Sequence, residues 1–107
     1  MTRSKEEKAQ FITKNWDTAN AFNATGSTVT LNGLSVPAYS FCPPVAGYYQ
    51  FTALVSTTAA NNSAGILFYK NNSAQSYSNA NYGNGSGFNN GVQLAQLLYL
   101  NGSTDYV

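Results

Sequence analysis

The groups in this chain that could do acid–base or nucleophilic chemistry are few: four carboxylates, one thiol and no imidazole among 107 residues. Without His, a Ser-His-Asp triad, a Cys-His dyad and a His-ligated zinc site are excluded. The carboxylates are Glu6, Glu7, Asp17 and Asp105, and they contain no promising acid/base pair for the folded body. Asp105 reads as a turn former. Cys42 stands alone, so no intrachain disulfide can form, and its expected role is that of a small core hydrophobe. Gly83-Asn84-Gly85-Ser86-Gly87 has the look of a phosphate loop, yet no Lys-Ser/Thr follows and no strand–loop–helix context surrounds it. Sequons begin at Asn23, Asn61, Asn71, Asn84 and Asn101, as expected from an Asn- and Ser-rich composition. No catalytic residue, metal ligand or cofactor is expected, and the chain reads as a non-enzyme.

One cluster has the chemistry of a ligand surface. Tyr77, Tyr82 and Phe88 alternate with Asn79 and Asn84 in a Gly/Asn/Ser-rich stretch, so aromatic faces sit beside amide donors and acceptors. Such a surface suits sugar rings or another protein. The competing reading is a loop whose aromatics cover the rest of the fold.

Charge is unevenly spread. The net charge is +1, and six of the nine charged residues (Arg3, Lys5, Glu6, Glu7, Lys8, Lys14) lie in the first fourteen. From Asn15 onward only Asp17, Lys70 and Asp105 are charged, so Asn, Ser, Thr, Gln and Gly must keep the body soluble. Few groups are left there for salt to screen or pH to titrate. No basic patch grips phosphates, so no nucleic-acid partner is expected. No signal peptide opens the chain, and the longest aliphatic run, Leu97 to Leu100, is far too short to span a bilayer. A soluble product made in the cytosol, with no membrane insertion, is expected.

The elements that must position these residues are short strands between turns, with a length that allows one domain. Residues 1–14 read as a charged arm, in which Ser4 and Glu7 resemble a capping box opening a short helix. Phe11 and Ile12 are its apolar anchor candidates. Val29 to Leu31 ends at Asn32-Gly33, a hairpin signal. Ala38 to Cys42 forms a short strand closed by Pro43-Pro44. After Gly47, Tyr48 to Ser56 alternates with period two, with Tyr49, Phe51, Ala53 and Val55 on one side and Tyr48, Gln50, Thr52 and Leu54 on the other. Gly65 to Lys70 and Val92 to Leu100 are apolar on both faces. Asn71-Asn72-Ser73 turns the chain into Ala74 to Ser78, and residues 79–91 read as a surface loop. Strands apolar on both faces call for burial beyond one two-sheet core, which a subunit interface would supply. Tyr48, Leu67, Tyr69, Leu97 and Tyr99 are the candidates for it.

One segment is more specific. Phe41, Gly47, Tyr49 and Phe51 spell F-x5-G-x-Y-x-F, with Leu34 seven positions before Phe41. This is similar to the central signature of the globular-head domain of complement one-q, in the tumour-necrosis-factor-like jelly-roll superfamily. Phe-Cys-Pro-Pro-Val-Ala-Gly-Tyr-Tyr-Gln-Phe resembles the family's strand pair around that signature. Ile66 to Asn71 resembles its L-x-x-x-K-N-G strand and turn, and Leu98 to Val107 its v-x-L-n-a-G-D-y-V segment. The sequence departs from the pattern at Ala53 and Val29 and in the expanded turn Gly102-Ser103-Thr104-Asp105. It also stops at Val107, where the family's domains continue.

The resemblance implies an all-β jelly-roll β-sandwich over residues 15–107, lacking its last strands or completed by another chain, and trimeric. Phe41, Gly47, Tyr49, Phe51 and Phe68 would form its core and signature. Calcium, which some members bind, needs more carboxylates than this chain has. Low-charge versions without signal peptide or collagen-like stalk resemble domains of bacteriophage particles. The expected function is a trimeric capsid decoration or cement, or a head-fibre module, on the virion surface. Its partners would be copies of itself and other virion proteins such as a major capsid protein. A receptor-binding fibre tip recognising host-surface glycan or protein is one alternative, and a non-viral secreted adhesion module is another.

Overall fold

Residues 7–57, 63–81 and 90–107 are described, from a computed structural model. They form six strands: β1 (Val29–Leu31), β2 (Leu34–Val36), β3 (Gly47–Thr57), β4 (Ser63–Lys70), β5 (Ser73–Asn81) and β6 (Asn90–Leu100). The described residues are all-β, with strands paired as β1-β2, β3-β6 and β4-β5. Two compact units result, one from residues up to 46 together with 100–106, the other from 47–99.

In the first unit, Asn32 and Gly33 both take positive φ, 54° and 76°. Two such residues make the type I′ turn whose twist matches that of its strands. It sets the antiparallel register Leu31↔Leu34 and Val29↔Val36. Residues 38–42, expected as a strand, contribute only an isolated bridge, Phe22↔Phe41. Tyr39 explains the difference: its φ of 52° breaks the pleat, and the flanking prolines have no N–H for a ladder. Backbone bonds still tie the segment down, from Asn23 N to Ser40 O (2.8 Å) and from Cys42 N to Ala21 O (2.9 Å).

The apolar core of this unit is Ala21, Val36, Cys42 and Leu100. At its centre lies Asn23, which sequence reading marked only as a sequon. Its buried amide nitrogen donates to the carbonyls of Ser27 (2.8 Å), Val36 (3.0 Å) and Pro37 (3.0 Å). Its Oδ1 accepts from Thr25 N (2.9 Å) and Thr25 Oγ1 (2.6 Å). Two amide hydrogens serve three carbonyls, so one is shared. A single side chain thus ties the segment before the β1-β2 hairpin to the end of β2 and to the residue that follows it.

The described part of the arm, residues 7–14, is not helical. The exposed Phe11 and Ile12 offer no packed apolar stripe, and a segment this short does not hold a helix by propensity alone. Two of its lysines are instead pinned to the unit. Lys8 Nζ donates to Ala38 O and to Ser40 Oγ (2.8 Å), and its partial burial pulls its pKa down. Lys14 Nζ donates to Asp17 Oδ2 (2.9 Å), Asn20 Oδ1 (3.3 Å) and Phe22 O (3.0 Å).

Near the end of the chain, Asn101 Oδ1 accepts from the amides of Ser103, Thr104 and Asp105, while Asp105 Oδ2 accepts from Asn101 N. Asp105 is thereby a turn residue. Gly102 has φ 78°, and a Cβ there would stand 2.5 Å from Ala46 N. Only glycine fits.

In the second unit, β4 and β5 form an antiparallel hairpin through Asn71 and Asn72, at φ 53° and 65°, another pair of left-handed residues. The ladder holds Ile66↔Ser78, Leu67↔Tyr77 and Phe68↔Ser76, then shifts at a bulge between Phe68 and Tyr69. β3 pairs with β6. Tyr48 meets Tyr99 near one end, and Leu54 lies against Gly91 near the other, so these two strands run in opposite directions. The pairs β3-β6 and β4-β5 meet through their inner sides, where the Phe51 and Phe68 rings lie 5.9 Å apart and Ser76 Oγ donates to Gln96 Oε1.

Candidate functional site

Strand alternation sorts the residues of β3 and β6 onto two sides. Tyr49, Phe51 and Ala53 of β3, with Val92, Leu94, Gln96 and Leu98 of β6, are buried or half-buried. The opposite side carries Tyr48, Gln50, Thr52 and Leu54, with Gln93, Ala95, Leu97 and Tyr99, and all eight are exposed. This matches the expected alternation as far as Ala53. Val55 departs from it and is exposed.

The outer side of β3-β6 is unusually apolar for a solvated face. Tyr48 is 73% exposed, Leu54 66%, Leu97 60% and Tyr99 46%. The Tyr48 and Tyr99 rings meet edge to face, with centroids 5.4 Å apart and planes at 66°. That geometry sets the positive edge of one ring against the negative face of the other, and so fixes both. The outer side of the β4-β5 hairpin adds Leu67, half-buried, and the exposed Tyr69 and Tyr77. Of the interface candidates, Tyr48, Tyr69, Leu97 and Tyr99 are exposed, and only Leu67 is partly covered. Lys70 is the one charged residue in the sequence from Gly47 to Tyr99. Neither outer face carries a charge to repel a copy of itself.

The ligand-surface candidates fall differently from expectation. Tyr77, in the segment expected to precede the loop, lies within β5, opposite Leu67 and 65% exposed. Asn79 belongs to the same strand. Tyr82, Asn84 and Phe88 lie outside the described residues. Of the expected loop 79–91, residues 79–81 belong to β5 and 90–91 to β6, and the remainder lies outside the described residues.

The signature residues occupy ordered positions, with a correction. Phe41 sits half-buried at its bridge, and Gly47 opens β3. Tyr49, Phe51 and Phe68 are half-buried rather than enclosed. A layer of two strands is too narrow to cover rings of this size. Among the described residues of the unit, the buried ones are Val92 and Leu98.

Nothing in this arrangement activates a nucleophile. Burial, and then the nearby Asp105 charge, push the Cys42 thiol above its ordinary pKa, and its sulfur lies 3.8 Å from Ser103 O. Burial alone would raise the Asp17 pKa. The Lys14 hydrogen bond, the amides of Ala21 and Phe22, and the Lys14 charge together outweigh that and leave the carboxyl below its usual range. Among the described residues no three His, Cys, Asp or Glu side chains gather into a metal-binding group. No helix there is long and apolar enough to cross a membrane.

No protein-family model, no curated protein and no solved structure matches the chain. The likeness of residues 41–51 to the complement one-q signature therefore stands on those residues alone.

Proposed function

We propose that this chain is a non-enzymatic structural module that works by associating with copies of itself, as a homotrimer of jelly-roll protomers. The observation that carries the reading is the charge-free outer side of β3-β6, with Tyr48, Leu54, Leu97 and Tyr99 exposed. Buried aromatic side chains each remove about 150–250 Å² from water. Four large apolar side chains therefore make up a substantial share of the roughly 800 Å² per partner that a stable interface buries. A two-fold dimer would use one face against itself. A ring joins one face of each copy to a different face of the next, and so can also cover Tyr69 and Tyr77.

The setting we propose is the outer surface of a virus particle, with the module decorating the capsid. The support is compositional: a body with almost no charge, rich in Asn, Gly and Ser, beside the 41–51 signature. Its hydration changes little with salt or pH. Electron microscopy of particles carrying a labelled copy tests this directly. Density at fixed lattice points on the capsid is expected, and label confined to a fibre end would replace decoration with receptor binding. Tyr77, projecting from β5, is the observation that keeps the receptor-binding reading in view.

A further inference from the structure

A second surface lies in the first unit. Phe11, Thr13, Lys14, Asn15, Trp16, Asp17 and Phe22 line an open groove of about 390 Å³. Trp16 is the only tryptophan of the chain and is 91% exposed. We propose that this groove binds a neutral carbohydrate, with the Trp16 indole as the platform on which a sugar ring stacks.

The turn that follows Trp16 is closed by a set of hydrogen bonds. Asp17 Oδ1 accepts from Ala21 N (2.8 Å) and Oδ2 from Phe22 N (3.1 Å), closing the turn directly after Trp16. Asn20, at φ 51°, donates its amide to Asp17 O (3.0 Å). Asn32 Nδ2 holds the same turn from the hairpin side, donating to Ala19 O (2.8 Å) and Asn20 O (3.1 Å). Phe22 is fixed by its bridge to Phe41.

The polar groups choose the ligand class. The Lys14 ammonium has three hydrogens and three acceptors, Asp17 Oδ2, Asn20 Oδ1 and Phe22 O. It has no donor left for a phosphate, sulfate or carboxylate, and Asp17 cancels its charge at 2.9 Å. An anionic ligand gains nothing here. An apolar protein surface would bury the Asn15 amide and the Lys14–Asp17 pair away from water without offering hydrogen bonds, which is costly. Among the described residues, the Thr13 hydroxyl, the Asn15 amide and the Trp16 indole N–H have no hydrogen-bond partner. Sugar hydroxyls both donate and accept, as these groups require, and the C–H face of a pyranose covers an aromatic ring. None of the groove residues belongs to the β3-β6 face proposed for self-association.

Trp16 also reports on its own site, because no other tryptophan contributes to the fluorescence. The full chain should be titrated with neutral chito-, malto-, galacto- and manno-oligosaccharides and, separately, with a polyproline peptide. We expect a saturable shift of Trp16 emission with at least one oligosaccharide and none with the peptide. By calorimetry, Trp16→Ala should weaken that binding by at least about tenfold, and Asn15→Ala by a smaller factor. Trp16→Phe should retain part of it. Circular dichroism of Trp16→Ala should be unchanged, because the side chain is exposed. Absence of saturable binding across the oligosaccharides overturns the proposal. So does unchanged affinity in Trp16→Ala, or binding of the peptide alone.

Discussion

Tyr48 and Tyr99 meet edge to face across the β3-β6 pair, ring centroids 5.4 Å apart, on the side turned away from Phe51 and Phe68. Two tyrosines thus stabilise each other while remaining open to solvent, at one end of the face proposed to meet a second copy. Replacing Leu97, beside them, with Lys places a charge on a face that has none. Leu97→Lys should leave the circular dichroism of the protomer intact and dissociate the assembly at concentrations where the parent chain is associated. Size-exclusion chromatography with light scattering checks it.

The Phe51–Phe68 contact joins the inner sides of β3 and β4 at 5.9 Å. Full burial of Phe51 would put the cost of Phe51→Ala near 3–5 kcal/mol, but the ring is half-buried. About 2–3 kcal/mol is expected, including the lost ring pair. Urea denaturation measures it, and a loss below 1 kcal/mol would contradict the packing described.

Asn23→Asp is the sharper test of the first unit. A carboxylate is close to the amide in shape but cannot donate, so the carbonyls of Ser27, Val36 and Pro37 would face a buried negative charge. A loss of about 3–5 kcal/mol is expected, larger than for any exposed Asn→Asp change. Equal losses at Asn23 and at an exposed asparagine such as Asn71 would remove Asn23 from the centre of the unit.

Asp17 gives stability a pH dependence. Its folded pKa lies below the ordinary 3.8, so the stability that it contributes is fully present above that value. It is lost as pH falls from there through the folded pKa. Asp17→Asn should therefore destabilise the chain at neutral pH, and the gap to the parent should close as pH drops below 3.8. Thermal unfolding at a series of pH values follows it.

The turns and alternation were the legible part of the fold. Asn32-Gly33 and Asn71-Asn72 declare themselves because left-handed residues are rare outside such chemistry, and all four take positive φ. The period of two after Gly47 declares the two sides of β3. Residues 38–42 misled because a short apolar run does not show that Tyr39 leaves the pleat. Asn79 misled because neutral, Asn-rich sequence resembles a loop even where it pairs along a ladder. Asn23 and Trp16 were not legible as functional residues. The bonds from Asn23 to Val36 and Pro37 span 13 and 14 residues with no periodicity to announce them. Trp16 gains significance only from the turn that Asp17 closes behind it.

Sedimentation equilibrium of the chain at micromolar concentration, beside its Tyr48→Ser/Leu97→Lys variant, tests the central claim most directly. Three times the protomer mass is expected for the parent chain, against the 11.4 kDa of one protomer, and a monomer for the variant. A parent chain that sediments as a stable monomer, or a variant that remains associated, would contradict it.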